Sequence, residues 1–252
     1  MMGGNRLEKA FVIGDIHGMY DDLMMMLTHW NPTSELLIMV GDYIDRGPAS
    51  DQVLYWVKEM TEKYPEQFIP LRGNHEKMLM DFLHNPLEKR KLYERNGGNY
   101  TLSQLLKVPM ESVIEMDAIE LSERVKEEFS WLLPLLESTR FYYRFGDHLI
   151  VHAGVDLEQE DWRQTALDEF VWIREPFHQG KNHTGLNIIF GHTPIHYLHD
   201  KDEPWVEDHK WGIDGGRVYG GPLFGIRINS QEVEEVFSEK SDLPSYDEAN
   251  DQ

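Results

Sequence analysis

The 252-residue chain has no cysteine. That removes disulfides, zinc–thiolate sites and thiolate nucleophiles together. Positive charge is also scarce: 24 lysines and arginines stand against 45 aspartates and glutamates, a net charge of −21. Tight non-specific binding to nucleic acid needs lysine and arginine to displace phosphate counterions, so no nucleic-acid polymer is expected as a partner. The same deficit argues against docking on an anionic membrane. No apolar run approaches the roughly 20 residues that span a bilayer. Glu8 and Lys9 interrupt what would have to be the apolar core of a secretory signal, so the expected location is cytoplasmic. Repeats and low-complexity blocks are missing too.

What is present suits a single catalytic domain over residues 1–237. Hydrophobic residues make up 40% of the chain, enough for a sizeable core. From 238 to 252 the sequence is acidic and poor in large apolar groups, which predicts a flexible solvated tail. Three short apolar runs open the chain: Ala10–Ile13, Leu36–Val40 and Phe68–Leu71. Each is bounded by glycine, as in strands buried on both faces. Leu23, Met24, Leu27 and Trp30 lie between the first two at helical spacing, and Val53, Leu54, Trp56, Val57 and Met60 between the second and third. The start therefore predicts βαβ units in a parallel or mixed sheet. The segment 84–136 predicts helices that could cap a cleft. It carries a locally basic stretch, Lys89, Arg90, Lys91 and Arg95, for which a solvated helix face is the simplest account. After residue 140 the pattern returns to strands: 141–145, 149–151, 187–190, 211–214, 223–228 and 233–237.

The informative residues follow the strands. The strand ends deliver Gly14-Asp15-Ile16-His17-Gly18, Gly41-Asp42-Tyr43-Ile44-Asp45-Arg46-Gly47, Arg72-Gly73-Asn74-His75-Glu76, His152-Ala153-Gly154 and Gly191-His192-Thr193. Singly, each is a common turn. Together they place oxygen and imidazole ligands beside glycines at the carboxyl ends of strands, where α/β sheets form their binding crevices. Asp, His and Asn donors suit first-row divalent ions such as manganese, iron or zinc.

These blocks resemble the calcineurin-like metallophosphoesterases, and within them the phosphoprotein phosphatase branch. Its bacterial and phage members include serine/threonine phosphatases and symmetrical diadenosine tetraphosphate hydrolases. The resemblance runs from about residue 10 to residue 230. It implies a four-layer α/β/β/α sandwich of two mixed sheets flanked by helices, and two divalent ions, manganese first, with iron or zinc as alternatives. By position, Asp15, His17 and Asp42 would hold one ion. Asp42 would bridge to a second, completed by Asn74, His152 and His192. A hydroxide shared by the two ions would attack phosphorus directly, without a phosphoenzyme. Arg46 and Arg174, with Asn74, would bind the substrate phosphate. His75 would protonate the leaving group, oriented by Asp45. A surface ion pair with Glu175 or Asp168 is the bland alternative for Arg174, and a solvated turn that for Asp45.

The expected function is metal-dependent hydrolysis of phosphomonoesters, above all phosphoserine and phosphothreonine in proteins. The alternatives are a symmetrical bis(5′-nucleosyl)-tetraphosphate hydrolase and a non-catalytic metal-binding regulatory protein. The expected partner is a phosphorylated protein or a small phosphate-ester or dinucleotide substrate, and the expected state a monomer or weak oligomer. Ile213-Asp214-Gly215-Gly216-Arg217-Val218-Tyr219 stands where eukaryotic members carry a tyrosine-bearing loop, which points to the bacterial or phage branch. Asp214 sits at a strand end with no role readable from the sequence.

Overall fold

The computed structural model describes residues 7–246. The first sheet is mixed. Its parallel part is β1 (Lys9–Ile13), β2 (Glu35–Met39) and β3 (Phe68–Pro70), joined through helices α1 (Tyr20–Met26) and α2 (Ser50–Lys63). Helices then dominate: α3 (Asn74–His84), α4 (Pro86–Arg95), α5 (Gly98–Leu106), α6 (Met110–Glu115), α7 (Ala118–Glu128) and α8 (Leu132–Ser138). The second sheet begins with the hairpin β4 (Tyr142–Phe145) and β5 (His148–Val151). Two short helices follow, α9 (Glu169–Trp172) and α10 (Glu175–Gln179), then β6 (Asn187–Phe190), β7 (Trp205–Glu207) and β8 (Lys210–Gly212). Its strand order is β4-β5-β6-β8-β7. The chain returns to the first sheet with antiparallel β9 (Leu223–Asn229) and β10 (Val233–Glu239), which completes the order β10-β9-β1-β2-β3.

The two-residue period of β1 explains the layering. Ala10 and Val12 point into a core shared with Leu149, Val151, Ile188 and Phe190 of the second sheet. Phe11 and Ile13 point the other way, into a core built with Leu23, Val53, Leu54, Met78 and Phe82 from the helices. Both faces of the strand are thus buried, which is why its sequence is continuously apolar. The result is a sandwich of two mixed sheets flanked by helices.

Three details differ from the sequence reading. β7 is not marked by an apolar run, because Val206 and Glu207 are exposed and only Trp205 is buried. In the basic stretch of α4, Lys91 and Arg95 are exposed as a solvated face would have them, and the difference lies in Arg90. Arg90 bonds Glu94 and donates to the carbonyls of Val113, Ile114 and Met116, tying α4 to α6 and its end. The chain from Ser238 is also not free as far as it is described. β10 continues to Glu239, Ser241 and Leu243 accept from Arg217, and Ser245 is buried. Hydrogen bonding, not apolar burial, fastens this segment, so composition alone reads it as solvated. Residues 247–252 of the expected tail lie outside the described residues.

Candidate active site

Six strand ends converge. β1 leads to Asp15 and His17, β2 to Asp42, Asp45 and Arg46, and β3 to Asn74 and His75 at the start of α3. β5 leads to His152, β6 to His192 and β8 to Asp214. All the expected ligands are buried. Two groups of donor atoms form, His17–Asp42–His75 and Asp42–His152–His192, each with its atoms within 4.8 Å of one another. Asp42 belongs to both. Its Oδ2 lies 3.5 Å from His17 Nε2 and its Oδ1 3.5 Å from His152 Nε2. Oδ1 of Asn74 lies 3.0 Å from His152 Nε2 and 2.8 Å from His192 Nδ1. Asp15 meets the second group through its Oδ2, which accepts the His192 N–H at 2.9 Å.

The far nitrogens fix the imidazole tautomers. His17 Nδ1 donates to the Ile44 carbonyl at 2.8 Å, and His152 Nδ1 to the Val40 carbonyl at 3.1 Å. Each Nε2 is left with its lone pair toward the cluster, as a metal ligand requires. Burial pushes His152 down to about 3, and holds His17, His75 and His192 well below the usual imidazole range, with Arg46 or neighbouring histidines adding to it. Neutral imidazoles result.

The carboxylates show the opposite strain. Burial first, then Asp214 and Asp42, raises Asp15 well above its usual range. Burial pushes Asp42 and Asp214 up to about 7, and Glu76 to about 8 with Asp42 adding repulsion. Asp15 Oδ1 and His192 Nε2 are buried without a hydrogen-bond partner. Orphaned donors and repelling carboxylates in one place lack positive charge, and divalent cations would supply it. The residues fit a metal site.

The backbone is bent to make this cluster. His17 (φ 44°), Asp42 (52°), Asp45 (74°), Arg46 (70°) and His192 (64°) all adopt left-handed conformations. Such residues persist only where their surroundings over-determine them. Glu76 does much of this. Its carboxylate accepts the backbone N–H of Asp42, Tyr43 and Gly73 at 2.8–2.9 Å. Glu76 stands in the third strand-end block, but nothing in its spacing reveals that it takes three backbone donors from two loops. Gly73 permits the approach: a Cβ there would sit 2.1 Å from Asp42 Oδ1.

His75 faces the cluster with Nε2, 4.0 Å from Asp42 Oδ2, and donates from Nδ1 to Asp45 Oδ2 at 2.6 Å. Asp45 is fully buried, not a solvated turn residue. Its Oδ1 accepts from Thr101 at 2.6 Å and Tyr93 at 2.9 Å, while burial pushes it up to about 7 against those bonds. Tyr93 and Thr101, on α4 and α5, were not singled out in the sequence. Their signal is tertiary only.

A cavity of about 150 Å³ opens above these groups, lined among others by Arg46, Asn74, His75, Trp172, Arg174 and Tyr219. Arg46 lies over the Tyr219 ring, 5.5 Å from its centroid, and donates to His17 Nε2 at 3.1 Å. Arg174 makes no ion pair with Glu175 or Asp168 among the described residues. It donates to the Thr193 hydroxyl at 3.1 Å and the His192 carbonyl at 3.3 Å. Asp168 instead lies 3.5 Å from Lys77.

Known proteins share this plan. The sequence model of the family described as calcineurin-like phosphoesterase matches residues 9–218. Serine/threonine-protein phosphatase 1 of Salmonella typhimurium is 29% identical over 226 residues, covering 88% of this chain and 92% of its own. The asymmetrical bis(5′-nucleosyl)-tetraphosphatase PrpE of Halalkalibacterium halodurans is 27% identical over 242 residues, 86% of this chain and 89% of its own. A solved protein serine/threonine phosphatase from Saccharomyces cerevisiae superposes with a TM-score of 0.59 at 16% identity, over 95% of this chain and 82% of that one, a likeness of fold. No helix among the described residues is long and apolar enough to cross a membrane. With both histidine–aspartate groups inside the matched span, the chain belongs to the calcineurin-like phosphoesterases, a family of metal-dependent hydrolases with a dinuclear divalent-metal site.

Proposed function

We propose that the protein hydrolyses phosphate monoesters and that its substrates are phosphoserine and phosphothreonine side chains of proteins. The observation that carries this reading is the meeting of Arg46, Arg174 and His75 in one small cavity over the carboxylate–histidine cluster. About 150 Å³ takes a phosphoryl group and the first atoms of its leaving group, which is what a phosphorylated side chain presents.

Asp15, His17 and Asp42 would hold one ion, and Asp42, Asn74, His152 and His192 the other. Two divalent ions, manganese in our reading, supply charge neutralisation and a lowered water pKa when bound. The rest is done by the chain. Arg46 and Arg174 bind phosphoryl oxygens with their planar forks and hold phosphorus in line between nucleophile and leaving oxygen. Thr193 and the His192 carbonyl fix Arg174, and Tyr219 backs Arg46. His75, neutral with its Nδ1–H on Asp45, takes up a second proton on Nε2 as the anionic phosphate enters and gives it to the leaving oxygen, while its Nδ1–H stays on Asp45. Tyr93 and Thr101 keep Asp45 from turning away.

The relatives named asymmetrical bis(5′-nucleosyl)-tetraphosphatase favour a second reading, cleavage of a dinucleoside tetraphosphate. The symmetrical mode expected from the sequence is not the one in those names. The manganese-loaded protein should turn over a phosphoserine peptide with a higher kcat/KM than diadenosine tetraphosphate. The reverse order would install the second reading, and its products, two ADP or AMP with ATP, would name the mode.

A further inference from the structure

We infer that the large cavity beside Arg174 binds a basic side chain, arginine or lysine, of the phosphoprotein substrate, close in sequence to its phosphorylated residue. This rests on the phosphoprotein reading above. The cavity has a volume of about 560 Å³, and its lining includes Arg174, Glu175, His178, Tyr197, Trp205 and Glu207. Arg174 and Tyr197 also line the reaction cavity, so the two adjoin. A peptide whose phosphate rests on Arg174 has this space as its next station.

The chemistry of the lining selects the occupant. Arg174 marks the end nearest the phosphate, and its guanidinium keeps N–H groups for that phosphate beyond the two it gives to Thr193 and the His192 carbonyl. The remaining charged groups, Glu175 and Glu207, are carboxylates, and neither forms an ion pair among the described residues. His178 is nine-tenths buried, and its Nε2 has no hydrogen-bond partner. Burial, then Arg174 and Lys210, push it down to about 4, so at neutral pH it is an uncharged ring that does not repel a cation. Tyr197 is 73% exposed, with His196 packed against its ring at 4.1 Å, and Trp205 supplies an aromatic wall behind which Lys210 lies 5.7 Å from the ring centroid. Acceptors and aromatic faces suit a guanidinium or ammonium, which only donates and stacks on rings. A purine needs donors for its ring nitrogens, and this lining is richer in acceptors. The bipolar layout, cation near the phosphate and carboxylates beyond it, matches a peptide with negative phosphate followed or preceded by positive charge.

The test is a set of phosphoserine peptides in which one arginine is walked along both sides of the phosphoserine in an alanine background. At the matching position kcat/KM should exceed that of the all-alanine peptide roughly ten-fold, through KM. The double variant Glu175→Gln/Glu207→Gln should lose most of that preference and hydrolyse p-nitrophenyl phosphate as the unaltered protein does. Glu207→Lys should shift the preference toward peptides with aspartate at that position. Equal turnover of all peptides, or a preference that survives the double variant, overturns the inference and leaves the phosphoprotein reading standing. If no peptide is hydrolysed while diadenosine tetraphosphate is, the phosphoprotein reading itself falls, and the inference with it.

Discussion

At the scale of single residues, His75 and Asp42 carry the most weight, and the geometry sets two roles for His75 against each other. It is bonded to Asp45 as a proton donor should be, yet it also groups with His17 and Asp42 as a ligand could. His75→Asn separates them. As a proton donor, its loss should leave both ions bound and slow phosphoserine turnover about 10²- to 10⁴-fold. p-Nitrophenyl phosphate, whose leaving group departs without a proton, should suffer far less. Loss of an ion, measured by elemental analysis, would make His75 a ligand instead. For Asp42 the two groups agree. Asp42→Asn should abolish activity and deplete both ions, and two tightly held ions with full turnover would contradict a bridging carboxylate. The candidate ligand residues were readable because each sits in a glycine-bounded block whose type and order are distinctive. Glu76, Tyr93 and Thr101 were not, because their work is to hold other residues' backbone or carboxylate, which leaves no trace in local sequence.

At the scale of elements, strands were legible where both faces are buried, as in β1, β2 and β6, and β7 was lost because two of its three residues face solvent. Arg174 shows what placement by elements adds. It stands at the N-cap position of α10, a helix of only five residues that cannot hold itself together. Lys210, buried on β8, donates to the carbonyls of Phe177, His178 and Gly180 at 3.2, 2.7 and 2.7 Å, satisfying the groups left open at the end of α10. Lys210 thus positions Arg174 without touching the reaction site. Lys210→Met keeps the apolar stem and removes the three bonds. KM for phosphate esters should rise roughly ten-fold, with metal content unchanged and kcat much less affected. A kcat loss with unchanged KM would mean that α10 does not depend on this lysine.

At the scale of the whole molecule, α1 and the segment after β10 are joined by a contact that no sequence window contains. Asp22 on α1 and Arg217, 195 residues later, form an ion pair at 2.7 Å with both side chains shielded from solvent. The same aspartate accepts the N–H of Ser241 at 2.6 Å and its hydroxyl at 2.9 Å. Arg217 donates on to the Ser241 and Leu243 carbonyls at 3.1 and 3.3 Å. The group therefore fastens the segment after β10 onto α1 and onto the turn that carries Tyr219, the ring beneath Arg46. Removing one member of a buried pair strands the other charge. Asp22→Ala should therefore cost about 3–5 kcal/mol and lower Tm by roughly 10 °C in a chain of this size. Ser241→Ala removes the hydroxyl's bonds to Asp22 and from Arg217 but leaves the pair itself intact, and should cost about 1.5–3 kcal/mol. Replacing both charges, Asp22→Leu with Arg217→Met, should recover most of the loss, since two apolar groups leave no charge to solvate. Thermal unfolding of the three variants decides it. If Asp22→Ala melts no lower than Ser241→Ala, the segment is held by something other than this pair.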